Sequence, residues 1–141
     1  MKNRQGFTLI EMLVVIAVIG IISTVALTAL GPSRNRAKDT RIISNMQQIR
    51  TLAETIYDGD YGAVPTGAPL GQNPGGLFEV NRADIEAQTG TNTLTVTAGV
   101  NGVSYAAFSR LVSDLNRFYC VDSDGFAGEV SPAPVNAGSC Q

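Results

Sequence analysis

From Phe7 to Leu30 the chain reads FTLIEMLVVIAVIGIISTVALTAL, 24 residues carrying a single charge, Glu11. As a helix this run is about 36 Å long, enough to cross a hydrocarbon core of about 30 Å with some tilt. A secretory signal has a shorter apolar stretch followed by a small-residue cleavage site, so this run is too long for one. Charge is distributed around it unevenly. Residues 1–6 carry +2 from Lys2 and Arg4, and residues 7–33 carry −1. Residues 34–41 carry +3 from Arg34, Arg36, Lys38 and Arg41 against Asp39, and residues 42–141 carry −6, for a net −2. A basic tip, an apolar rod, a basic collar and an acidic body do not describe a simple soluble globule.

Composition removes several chemistries. The 141 residues contain no His, which excludes His general bases, Ser–His–Asp and Cys–His nucleophile systems and His-ligated metals. Two cysteines cannot form a four-cysteine zinc site. The acidic balance supplies no broad phosphate-neutralising surface, so no nucleic-acid partner is expected. An enzyme is the least favoured class, and no cofactor is expected. The orientation signals conflict. Basic residues after the span lean toward a cytoplasmic collar, whereas a paired-cysteine framework in the body, Cys120 and Cys140, belongs outside the cytoplasm.

The junction KNRQGFTLIEMLVVIAVIGII resembles the leader and N-terminal helix of a bacterial type IV prepilin. The matching residues are Lys2 and Arg4, then Gly6, Phe7, Thr8, Leu9, Ile10 and Glu11, followed by the apolar run. The resemblance implies a leader of residues 1–6 that a membrane-embedded prepilin peptidase removes between Gly6 and Phe7. It further implies N-methylation of Phe7 and a body that faces outward. Gly6 has no side chain, so its backbone fits a peptidase groove that rejects bulk. Cleavage creates an α-amino group on Phe7, and Glu11 lies one turn further along the same helix face. Two readings of Glu11 follow. It pairs with the Phe7 amine of a neighbouring subunit and sets axial register, or it merely reaches the headgroup layer or protonates.

Residues 7–30 are expected to be the transmembrane and assembly segment, and residues 31–58 an amphipathic helical half. Gly31–Pro32 predicts a kink or locally melted stretch, because proline removes a donor and crowds the preceding turn. Gly20 is a second weak point, or a place of close packing between membrane helices. Ile42, Met46, Ile49, Ala53 and Ile56 recur at helical spacing and read as a core face against a sheet. The collar reads as a solvated patch facing lipid headgroups, or as a surface that meets the acidic bodies of other subunits in a fibre. Residues 59–141 form the expected head. It opens within the turn-rich YDGDYGAVP of residues 57–65, a sequence similar to the place where pilins leave their long helix. A Gly/Pro-rich surface loop follows over residues 62–76, then a short helix over residues 81–88 capped by Asn81. Strands are expected over residues 93–98, 104–112, 117–122 and 126–130, with an Asp124–Gly125 turn before the last.

The expected fold is therefore α+β and pilin-like, a long N-terminal helix packed on a small antiparallel sheet. Pilins resemble this chain also in a terminal disulfide loop, which implies a Cys120–Cys140 bridge enclosing the tail; the alternative is a pair of unlinked thiols. Asp122, Asp124, Gly125 and Glu129 supply part of a calcium-loop pattern, and a hairpin turn accounts for Asp–Gly equally well. The resemblance implies a subunit that first sits in the inner membrane with its head outside. Assembly machinery then stacks it into an extracellular homopolymer. The alternatives are a pseudopilin of a type II secretion system, and a minor pilin serving as a DNA-uptake or adhesion module.

Overall fold

The computed structural model describes residues 6–61, 76–90, 94–99, 102–136 and 138–141. The leader residues Lys2 and Arg4, and all of the expected 62–76 loop except Gly76, lie outside them. The elements are α1 (Leu9–Thr55), α2 (Leu77–Thr89), β1 (Thr95–Ala98), β2 (Tyr105–Arg110), β3 (Phe118–Asp122) and β4 (Ala127–Val130). The chain divides into two compact units, one ending at Arg34 and the other spanning Asn35–Gln141.

In the first unit, α1 runs without interruption through Gly31 and Pro32. Of the kink or locally melted stretch expected there, the melting is absent. Pro32 cannot donate to the Thr28 carbonyl, but this is one bond lost from a helix of 47 residues. Propagation is favourable once a helix is nucleated, so a single missing bond need not end it. Thr24 and Thr28 turn their hydroxyls back onto the carbonyls of Gly20 and Val25, at 2.9 Å each, so neither presents a free polar group.

The second unit is built around the stripe read from the sequence. Ile42, Met46, Ile49 and Ala53 are completely buried, and Ile56 packs at the margin of the same cluster. They meet Tyr105, Ala107, Tyr119 and Val121. The sheet is antiparallel in the order β1-β2-β3-β4. Its register pairs Ala107 with both Val96 and Val121, and Phe108 with Cys120. Because successive strand residues point to opposite faces, Tyr105, Ala107, Tyr119 and Val121 face α1. Ala106 and Cys120 lie in a second cluster with Cys140, flanked by Phe108, Phe126 and Val130. The fold is therefore α+β, a long helix packed on one face of a four-stranded antiparallel sheet.

Polar contacts hold these layers in place. Asp39 of α1 is buried and accepts the backbone N–H of Val112 at 2.6 Å and that of Ser113 at 3.2 and 3.3 Å. Gln47 donates to the Tyr119 hydroxyl at 2.7 Å. Asp84 of α2 accepts from Asn45 at 2.6 Å and pairs with Arg41 at 3.1 Å. α2 starts four residues before the expected helix. Asn81 is accordingly not its cap. It lies buried inside the helix and donates to the Leu77 carbonyl at 2.8 Å, while left-handed Gly76 occupies the cap position. Phe78 and Ile85, buried against the stripe, explain the earlier start, because burial outweighs the capping preference of a single side chain.

Candidate assembly segment and head clamp

The N-terminal segment combines a helix start with an uncovered apolar surface. Gly6 and Phe7 precede the helix and are exposed, and a side chain at Gly6 would meet nothing. Thr8 occupies the cap position of α1, with Glu11 three residues on. The Thr8 N–H and hydroxyl both donate to Glu11 Oε2, at 2.8 Å each, and the Glu11 N–H donates to Thr8 Oγ1 at 3.3 Å. This is a reciprocal capping box, and it satisfies backbone donors that a helix start otherwise leaves orphaned. T-x-x-E before an apolar run is its sequence signature, and the sequence reading above did not use it. Both of Thr8's bonds go to one carboxylate oxygen, so Oε1 is without a partner among the described residues. Beyond Glu11 the apolar side chains stand open. Ile10, Val14, Ile16, Ile21, Val25 and Leu27 are all more than half exposed. The helix carries a window long and apolar enough to cross a membrane, and none of that window is buried.

At the other end of the chain the structure joins Cys120 to Cys140, with an S–S distance of 2.02 Å and Cα atoms 5.9 Å apart. The bridge lays the tail across the sheet face opposite α1. Gly138 reaches as far as β1, where its N–H donates to Thr97 Oγ1 at 3.2 Å. Asp122 reinforces this arrangement. It is 1% exposed. Its Oδ1 accepts the N–H groups of Asp124 at 3.1 Å and Phe126 at 2.9 Å, and its Oδ2 accepts that of Cys140 at 3.0 Å. One carboxylate thus closes the β3–β4 turn and holds the tail.

The calcium candidates do not converge. Asp122 spends both oxygens on backbone donors, and Glu129 pairs with Arg117 at 2.9 Å. Among the described residues, no group of three or more His, Cys, Asp or Glu side chains is placed to hold a metal ion. The Asp124–Gly125 segment is instead a hairpin turn, with Gly125 at a positive φ of 94°.

Three tyrosines form a second cluster in the head. The Tyr57 and Tyr61 rings lie 4.7 Å apart and the Tyr61 and Tyr105 rings 4.8 Å apart. Tyr61 donates to the Glu54 carboxylate at 3.0 and 3.2 Å. Burial and then this bond push the Tyr61 hydroxyl above its ordinary pKa. Tyr105 is fully buried, and its hydroxyl has no hydrogen-bond partner among the described residues. Burial, with Glu54 nearby, pushes its pKa up as well. A groove between α1 and α2 is lined by Ser44, Gln47, Gln48, Thr51, Leu52, Leu77 and Asn81, none of them a charged side chain.

Comparison with known proteins places the N-terminal features in a wider set. Residues 1–27 match the family model described as the prokaryotic N-terminal methylation motif. A fimbrial protein of Pseudomonas aeruginosa is 38% identical over 60 residues, covering 42% of this chain but 39% of that protein. In that match the chain spans about two fifths of the relative's length. Fimbrial protein Q of Moraxella bovis is 29% identical over 114 residues, 70% of this chain and 71% of the relative. The type IV major fimbrial protein FimA of Dichelobacter nodosus is 31% identical over 128 residues, 74% of this chain and 77% of the relative. No solved structure matches the chain at a significant level. Coverage of 74% cannot come from α1 alone, so the similarity to FimA extends from the helix into the head, and the chain belongs to the type IV pilin family.

Proposed function

We propose that this chain is a major structural subunit of a type IV pilus-like filament, made as a membrane-anchored precursor and assembled through α1. The observation that carries this reading is the uncovered apolar helix with one carboxylate in its first turn. Its side chains stay out of water only in lipid or against other such helices. Membrane insertion is the precursor state, with the disulfide-bonded head outside, and bundling of the helices is the assembled state. The working domains are the leader 1–6, the assembly segment 7–30, the amphipathic half 31–58 and the head 59–141. A separate prepilin peptidase and assembly motors supply the catalysis, and the pilin supplies the surfaces.

The chemistry at the junction follows from the capping box. Cleavage after Gly6 frees an amine on Phe7, and N-methylation leaves it able to carry a proton. A carboxylate deep in an apolar bundle costs roughly 2.5–3.5 kcal/mol on insertion scales. Oε2 remains engaged with Thr8 while Oε1 accepts the amine of a neighbouring subunit. One side chain thereby closes its own helix and sets the axial register of the next subunit. The pseudopilin alternative has less support, because Asp122 and Glu129, two of the three carboxylates that suggested calcium, are engaged elsewhere. The DNA-uptake alternative needs a basic face on the body, where Arg82 and Arg117 are committed to carboxylates.

Glu11→Ala tests the proposal. The variant is expected to enter the membrane and lose Met1–Gly6, as read by intact mass, while filament yield falls about tenfold or more, because the neighbour's amine is left unpaired in an apolar core. Normal filament yield from this variant would refute the register role. Assembled protein that retains Met1–Gly6 would refute the processing site.

A further inference from the structure

The collar at residues 34–41 carries more positive charge than the fold uses. Arg41 is committed to Asp84. Asp39, the collar's one acid, is turned inward onto the Val112 and Ser113 amides and is 7% exposed, so it makes no ion pair with its basic neighbours. Arg34, Arg36 and Lys38 are left without an ion-pair partner among the described residues. Arg34 and Arg36 are exposed and Lys38 is half-buried. Their place in the sequence matters. They follow Leu30, the end of the apolar run, by four to eight residues. At 1.5 Å per residue that is about 6–12 Å of helix, close to the depth of a headgroup layer. Arg and Lys stems extend that reach. These cations also oppose the topology that the disulfide requires, since basic residues after a span favour the cytoplasmic side. They are not orientation signals.

We propose that Arg34, Arg36 and Lys38 bind the phosphates of anionic phospholipids in the outer leaflet while the subunit waits in the membrane. The proposal rests on the membrane-precursor reading above. The lipid holds the collar at the interface, and the body, with its net charge of −6, is repelled from the same surface. Extraction into a filament exchanges these phosphates for other surroundings, so the lipid contact retains subunits until the assembly machinery acts.

The test uses the full-length chain in nanodiscs of equal phosphatidylglycerol and phosphatidylcholine, compared with the triple variant R34Q/R36Q/K38Q. Native mass spectrometry counts the lipids that stay with the protein. Each cation near an anionic surface is worth about a fivefold preference, before screening. Three such cations set a ceiling of about a hundredfold, and with their charges partly screened the wild type is expected to retain phosphatidylglycerol at least about tenfold over phosphatidylcholine at low salt. The preference should collapse near 0.5 M salt, where the Debye length is about 4 Å, and should be lost in the variant. Equal retention of both lipids by the wild type overturns the proposal. An undiminished preference in the variant overturns it too, and if that variant also assembles poorly, the cations belong to contacts with acidic residues of neighbouring subunits. Flotation of the protein with the nanodiscs is scored separately; failure to co-float refutes the membrane anchor itself, and the proposal with it.

Discussion

Replacing Asp122 with Asn exchanges one carboxylate oxygen for an amide nitrogen at a site that is 1% exposed. If the amide oxygen takes the Oδ1 position, the Asp124 and Phe126 bonds survive, but the new NH2 group faces the Cys140 N–H, 3.0 Å from the present oxygen. Donor then opposes donor. If the amide is flipped, the tail is held and the turn is lost. In either orientation at least one N–H that now donates to this buried carboxylate is orphaned, at about 1–3 kcal/mol, and the surviving bonds lose their ionic assistance. We therefore expect a loss of about 2–4 kcal/mol, a large share of the roughly 5–15 kcal/mol available to a domain. The bridge gives an internal comparison. Its sequence separation of 20 corresponds to about 3 kcal/mol on the chain-entropy model. The two contributions are not independent, because Cys140 is beside Asp122 only while the tail lies on the sheet. Cys120→Ser/Cys140→Ser combined with Asp122→Asn should therefore lose less than the sum, with a coupling of about 1 kcal/mol or more. Urea titration of the chain in detergent, followed by tyrosine near-UV circular dichroism since there is no Trp, measures all the variants. A loss below about 0.5 kcal/mol for Asp122→Asn would show that the carboxylate is not a clamp. Strict additivity would show that it does not hold the tail.

Tyr105→Phe should stabilise the head by about 1 kcal/mol, because it removes a buried hydroxyl that has no partner among the described residues; a loss of that size in the same titration would mean the hydroxyl is bonded. Alkaline pH should destabilise the head. Tyr61 and Tyr105 stay protonated in the fold and ionise near pH 10 when unfolded, so their stabilisation is complete below about pH 10 and is lost as pH rises beyond it. Absorbance at about 295 nm from these two residues should appear together with unfolding, and ionisation of Tyr105→Phe and wild type indistinguishable below the unfolding transition would be the consistent result. A Tyr105 signal appearing while circular dichroism remains native contradicts the assignment. Gly138→Ala should loosen the tail. Gly138 has a φ of 80°, and an added Cβ would lie 2.7 Å from the Gly99 nitrogen and against the Ser104 hydroxyl. Faster proteolysis after β4, with helix content unchanged, is the expected result, and unaltered protease resistance would contradict it.

Whatever depends on a short repeat was legible along the chain. The apolar run of α1, the buried stripe Ile42, Met46, Ile49 and Ala53, and the alternation that buries Leu94 and Val96 at β1 are periodic patterns set by the geometry of a helix and a strand. The Thr8–Glu11 capping box has a signature within four residues and was open to the same kind of reading, yet it was found only in the structure. The Cys120–Cys140 pair was suggested by resemblance to pilins, and only the fold brought the two Cα atoms to 5.9 Å. The local rules failed where a distant contact outweighed them. Proline at position 32 signals a kink or local melting, yet α1 stays helical through it, because one missing bond is a small part of a long cooperative helix. Asn81 signals a cap, yet Phe78 and Ile85 draw the helix start forward to Leu77. Asp39 and Asp122 look like ordinary surface acids, one in a basic collar and one in a partial calcium pattern. Their real partners are backbone amides, 73 and 74 residues away for Asp39 and up to 18 for Asp122. No spacing rule reaches that far. A buried carboxylate takes whichever donors the packed layers leave unpaired, and only the tertiary structure decides which those are.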